Sequence, residues 1–278
     1  MSGVRLSRPA AIVRHAILLI TGALIMAPFV WMVSLSLKPP GEIFRGSFSI
    51  LPEHWYALEN YTKALTAAPL QQYMLNGVIV CAAILMLQIL VCASSAYALA
   101  KLEFRGRDTL FSLVLIGLLL PHQVLSLPLF ILCYSIGILN TYAALIFPFI
   151  VSPFGIFLFR QFFRSIPDDI IHAARLDGLS ELAIIWRIMV PMAMPAIIAF
   201  AIFSVVGHWN DLFWPLIAVR DENLMPPALG IMSFANQEAG NDYGPLMAAS
   251  TLIVLPLIIA FLAAQRWFVE GLAKGAVK

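Results

Sequence analysis

The sequence predicts an all-α membrane protein of six transmembrane helices, and three observations carry that expectation. Of its 278 residues, 61% are hydrophobic and only 12% are charged. A soluble domain carries roughly a quarter charged residues, so this chain has too little polar material to cover a water-facing surface. The apolar residues also gather into runs of about 20, the length a helix needs to cross a hydrocarbon core. Finally, the basic residues are segregated among the segments between those runs, as the positive-inside rule requires of a multi-pass protein.

Taken in order, Arg5, Arg8 and Arg14 precede a first run at 16–37. It exceeds the apolar core of a secretory signal, about 7–15 residues, and is expected to stay as the first helix. A mixed polar stretch, 38–72, holds Pro39-Pro40-Gly41, Trp55 and Tyr61, and is expected as an extramembranous loop. Five further runs follow at 73–100, 110–132, 141–159, 193–219 and 246–267. Pro121, Pro128, Pro148, Pro153, Pro191, Pro215 and Pro256 lie in or beside these runs. Such breaks survive in a bilayer only where neighbours or water satisfy the freed carbonyls, which suggests helices around a cavity. Cys81, Cys92 and Cys133 lie in or beside apolar runs without metal-ligand spacing and read as buried small residues.

With the N-terminus inside, thirteen of the 17 basic residues fall on the cytoplasmic side and four outside: Lys38, Arg45, Lys63 and Arg220. Both termini are therefore expected in the cytoplasm, together with the charged segment between the fourth and fifth runs. That segment reads as a helical hairpin. Ser165 is placed to cap a first helix that Asp168 and Asp169 favour at its positive end. Gly178 is placed to close it in the left-handed conformation, and Ser180 to cap a second helix, with Leu179 and Ile184 at staple positions. The chain carries no sign of a nucleotide-phosphate loop or zinc helix of its own. No Lys follows a Gly, so there is no Walker A turn, and no His precedes a Glu, so there is no zinc helix of the His-Glu-x-x-His type.

The hairpin residues His172-Ala173-Ala174-x-x-Asp177-Gly178, continued by Ile188-x-x-Pro191-x-x-x-Pro195, resemble the EAA loop of permease subunits in bacterial ABC importers. The resemblance extends to Trp209-Asn210-Asp211-Leu212-Phe213-Trp214-Pro215, similar to a stretch of carbohydrate-uptake permeases of the MalG type, and to the tail from Gln265 to Lys278. It implies an inner-membrane permease with a cytoplasmic EAA-type coupling hairpin between helices 4 and 5. The implied layout is a cytoplasmic segment 1–15, a permease domain 16–267 containing the coupling loop 160–192, and a cytoplasmic tail 268–278. His172, Ala173, Ala174, Asp177, Gly178 and Pro191 would contact the ATPase. His172 stands where the family has Glu and brings no permanent negative charge, so Asp168 and Asp169 are alternative partners for that contact.

The resemblance further implies a second permease subunit of the MalF type, an ATPase dimer that binds ATP and Mg, and an extracytoplasmic solute-binding protein. No cofactor is implied for this chain itself, and no nucleic acid partner. The cargo would be a sugar, oligosaccharide, polyol or glycerol-phosphate compound. Candidate pathway residues are Asn76, Gln123, Trp209, Asn210 and Asp211, with His122 and Gln88 beside them. For these side chains, hydrogen bonding between helices or to broken backbone is the competing reading. Phe234, Asn236, Gln237 and Tyr243, in the loop 220–244, are candidate contacts for the binding protein, against a plain solvated connection. A self-contained secondary carrier or channel, with Asp211 as ion-coupling group, is the alternative to the importer.

Overall fold

The computed structural model describes residues 8–44, 49–237 and 243–275, and side chains within these except at 8–9, 122, 233–237, 264 and 266–275. Every regular element among the described residues is a helix. Three are long and apolar enough to cross a membrane: Ala10–Ser36, Leu70–Lys101 and Tyr243–Ala263. Three bent pairs pass the same test together: Arg107–Leu119 with Gln123–Ser135, Tyr142–Phe149 with Pro153–Ser165, and Glu181–Met192 with Met194–Trp209. The chain divides into two compact units, one of 1–68 with 233–254 and the other of 69–232 with 255–278.

In the first unit, α1 (Arg8–Ser36) continues through Pro28. Most of its apolar side chains are exposed on the chain, as hydrocarbon-facing residues would be. The polar stretch after it folds on local bonds. A short α2 (Pro40–Ile43) carries Glu42, whose carboxylate accepts from the amide of Glu53 at 2.6 Å. That amide, more than any other group, holds the Glu42 carboxyl below the usual carboxylate range. Next comes α3 (Ala57–Thr66), whose buried Asn60 donates to the carbonyls of Ser36 and Lys38, both at 2.9 Å.

The second unit is organised around α4 (Leu70–Lys101), the longest of its helices. After it come α5 (Arg107–Leu119), α6 (Ser126–Ser135), α7 (Tyr142–Ile146) and α8 (Pro153–Ser165). Then follow α9 (Asp168–Leu176), α10 (Glu181–Ile184), a π-helical turn Ile185–Met189, and α11 (Val190–Met192). The last elements are α12 (Met194–Trp209), α13 (Phe213–Ala218), α14 (Pro227–Gln237) and α15 (Tyr243–Gly275). The last two span the boundary between the units.

Prolines make the breaks for a stated reason. The residue before a proline is pushed out of the helical region. Leu120, before Pro121, has ψ 122°, and Ser152, before Pro153, has ψ 110°. Ser152 then caps α8 by accepting from the amide of Gly155 at 3.1 Å. The main core packs α4 against α8, α9, α10, the π-helical turn and α12 through Cys92, Tyr97, Phe159, Phe163, Ile171, Ile184, Met189 and Phe200. At Gly155 the helices come so close that a Cβ would lie 2.9 Å from the Phe200 ring and 3.1 Å from Cys92 Sγ. The three cysteines are free and buried, as expected of small apolar fillers.

The run 193–219 is locally broken: α12 stops at Trp209 and α13 starts at Phe213, and between them Asp211 Oδ1 accepts from the amides of Phe213 and Trp214. One expectation needs correction. Ser165 does not cap the hairpin. It is the last residue of α8, its hydroxyl donates back to the carbonyl of Phe162 at 2.7 Å, and Pro167 occupies the capping position of α9. The cause is Ile166, which precedes a proline and is extended at ψ 128°, so the chain leaves one helix before entering the next.

Candidate functional site

The hairpin α9–α10 is built from its own sequence punctuation. In α9, Ile171 and Ala174 are buried three residues apart, one face of a helix turned to the core, while His172, Ala173, Leu176 and Asp177 are exposed. Leu176 is 89% exposed and Leu182, just past the turn, 65%. Apolar side chains so exposed on a connecting segment mark a surface suited to a partner.

The turn is a complete Schellman closure. The amide of Leu179 donates to the carbonyl of Ala174 and that of Gly178 to the carbonyl of Arg175, both at 3.0 Å, and Gly178 has φ +82°. A Cβ at Gly178 would meet nothing within 4 Å, so conformation and not crowding demands glycine there. Ser180 caps α10 by accepting from the amide of Ala183 at 3.3 Å. Leu179 and Ile184, across that cap, both join the main core.

Side chains that sequence reading did not single out fasten this hairpin. Lys101, at the end of α4 with its side chain 4% exposed, donates to Asp168 at 2.6 Å and to the carbonyl of Ile166 at 2.5 Å. Its hydrogen bond and charge hold the Asp168 carboxyl below the usual carboxylate range. Tyr97, one turn earlier on α4, donates to Glu181 at 2.5 Å, and Arg175 grips the same carboxylate at 2.8 and 3.2 Å. Glu181 in turn raises the Arg175 guanidinium above its ordinary value. Partners so distant in the chain leave no spacing signal, apart from the recurrence of Tyr97 and Lys101 on one face of α4.

The candidate pathway residues differ in burial and in the bonds they make within the chain. Asn76 is fully buried and uses its whole amide inside the chain. It donates to the carbonyls of Asn223 and Met225 at 2.8 and 2.9 Å and accepts from Tyr142 and Gln72 at 2.6 and 2.9 Å. It ties α4 to the loop before α14, which is the hydrogen-bonding role weighed for it beside the pathway one. Trp209 is also buried, 3.1 Å from where a Cβ on Gly77 would stand. Asn210 donates to the carbonyl of Val206 at 2.8 Å and stays exposed, and Gln123 is exposed in the 3₁₀ turn His122–Leu125. Gln88 is buried, donating to the carbonyl of Phe149 at 2.8 Å and accepting from Ser204 at 2.6 Å. That bond satisfies backbone near the break before α8.

Tyr243 is exposed, its ring edge-on to Phe44 with centroids 5.3 Å apart. The side chains of Phe234, Asn236 and Gln237 lie outside the described residues, as do most of those expected in the tail from Gln265 to Lys278.

This is a helical membrane subunit with an exposed, firmly closed hairpin. The particular family follows from comparison with known proteins. Residues 89–274 match the family described as binding-protein-dependent transport system inner membrane component, and the chain belongs to that family. It is 35% identical to the diacetylchitobiose uptake system permease protein NgcG of Streptomyces coelicolor, over 98% of this chain and 90% of that one. It is 34% identical to the arabinooligosaccharides transport system permease protein AraQ of Halalkalibacterium halodurans, over 90% of each. Its fold also matches a chain in the crystal structure of a bacterial ABC transporter involved in the import of the acidic polysaccharide alginate. There the TM-score is 0.83 with 22% identity, covering 96% of this chain and 99% of that one. These findings favour a permease subunit of a binding-protein-dependent transport system over a self-contained carrier.

Proposed function

We propose that this chain forms half of the translocation pathway of an importer for a sugar or oligosaccharide, and that α9–α10 docks on a separate ATPase subunit. A polyol or glycerol-phosphate cargo belongs to the same class. The observation that carries the docking role is the hairpin itself. It falls within the segment that matches the family, its turn is closed at both ends by backbone and side-chain caps, and it exposes Ala173, Leu176 and Leu182. A small alanine permits close approach, and leucines give an apolar anchor for a groove.

In this reading the three long helices and the three bent pairs account for six crossings, the third pair only through its limb Met194–Trp209, with both termini and the hairpin in the cytoplasm. The count of basic residues supports that orientation. A second permease would complete the pathway, the ATPase dimer would bind ATP and Mg, and an extracytoplasmic binding protein would deliver the solute. Closure of the ATPase on ATP would move the hairpin as one body and rock the helices between inward and outward access. His172 offers no carboxylate to the ATPase, so docking rests on shape and apolar contact at this position.

The cargo class is supported by the names of the relatives, diacetylchitobiose and arabinooligosaccharide permeases. Gly178→Asp should abolish uptake in proteoliposomes holding the assembled complex while leaving membrane insertion intact. Wild-type ATP-coupled uptake by that variant would overturn the docking role. For the cargo, thermal shifts of the cognate binding protein should respond to sugars or oligosaccharides. A response confined to unrelated solutes such as amino acids would overturn the cargo class.

A further inference from the structure

We propose that the last turn of α4 is a two-point latch, Tyr97 on Glu181 and Lys101 on Asp168, that makes the hairpin and α4 move as one body. This deepens the docking reading and rests on it. Tyr97 and Lys101 are four residues apart and so share a face of α4. Lys101 holds the entrance of α9 through the Asp168 carboxylate and the Ile166 carbonyl. Tyr97, 1% exposed, holds the start of the hairpin's second arm through Glu181, the first residue of α10. Arg175, on the last turn of α9, closes on the same carboxylate, so Glu181 joins α4, α9 and α10 in one knot.

The next link in the chain is different in kind. Directly after α10 come the π-helical turn Ile185–Met189 and then an 82° bend into α12. A π-helical turn has looser backbone bonding than α-helix and marks a place where a helix can change length or direction. Displacement of the hairpin would therefore pass to α4 through short charge-assisted bonds, while the connection to α12 bends. Tyr97 and Lys101 are positioning residues in this scheme and contact neither solute nor nucleotide.

The test uses the assembled complex in nanodiscs, with the three native cysteines replaced. Spin labels are placed at Leu176→Cys, on the hairpin, and at Met86→Cys, 72% exposed on α4. The latch predicts one narrow distance distribution, unchanged between the nucleotide-free and ATP–vanadate-trapped states. Tyr97→Phe with Lys101→Met should broaden or shift it on trapping. Tyr97→Phe alone keeps the ring and removes only the hydroxyl, so its partial broadening separates loss of the latch from loss of core packing.

A native-latch distance that changes between states would overturn the proposal, as would a double variant that stays narrow and fixed. Failure of the docking reading shows separately. A bifunctional reagent on Leu176→Cys would then yield no cross-link to an ATPase subunit, whatever the distances report.

Discussion

Replacing Gly178 isolates a single physical quantity, because a Cβ there meets no atom within 4 Å. The cost of Gly178→Ala is then conformational: an L-residue at φ +82° gives up about 1–2 kcal/mol relative to glycine. At about 1.4 kcal/mol per tenfold, the closed turn should open roughly 5–30 times more often. Asn tolerates the left-handed region better than Ala, so Gly178→Asn should lose less. The assay is hydrogen exchange at residues 178 and 179, whose amides close the turn onto Arg175 and Ala174. Protection should fall by that factor in the alanine variant and by clearly less in the asparagine variant, with amides in α4 unchanged. Unchanged protection in Gly178→Ala, or equal loss in both variants, would refute the claim that backbone conformation selects glycine.

Three other outcomes follow from the same geometry. Gly155→Leu should lower the yield of folded protein in detergent, read by size exclusion, because even a Cβ meets the Phe200 ring at 2.9 Å. Asn76→Leu removes the bonds from the buried Asn76 amide to the carbonyls of Asn223 and Met225, about 0.5–1.5 kcal/mol for each hydrogen bond lost, and should lower the thermal midpoint more than Asn210→Leu at an exposed site. The Lys101 hydrogen bond and charge hold the Asp168 carboxyl below the usual carboxylate range, so its hold on Lys101 is complete at neutral pH and is lost only as pH falls through that depressed value. Isotope-edited infrared titration should show Lys101→Met moving the Asp168 midpoint up towards the ordinary range, and an unmoved midpoint would contradict the assignment.

Much of this was legible because bilayer and turn chemistry write local signals. The apolar runs located the long helices, and Gly178 and Ser180 marked the end of one hairpin helix and the start of the next. What failed was also local, but depended on a neighbour's geometry. Ser165 has the chemistry of a cap, yet the extended Ile166 before Pro167 puts it at the end of α8 instead. The break after α12, by contrast, was marked by Pro215 and by the polar Asn210 and Asp211 within the apolar run. The contacts of Tyr97 with Glu181 and Lys101 with Asp168 join residues 84 and 67 apart, and depend on packing that no spacing encodes. Asn76 is legible as a pathway or hydrogen-bonding candidate, but its partners in the loop before α14 lie 147 and 149 residues away.

The central claim is that the exposed end of α9 meets an ATPase subunit in the cytoplasm. A photo-reactive residue in place of Leu176, 89% exposed, tests it in the complex isolated from membranes. The account predicts one dominant cross-link, to the ATP-binding subunit, which weakens when Gly178→Asp is added. A residue 176 that cross-links only to lipid or to an extracytoplasmic protein, in a complex that still hydrolyses ATP, would contradict it.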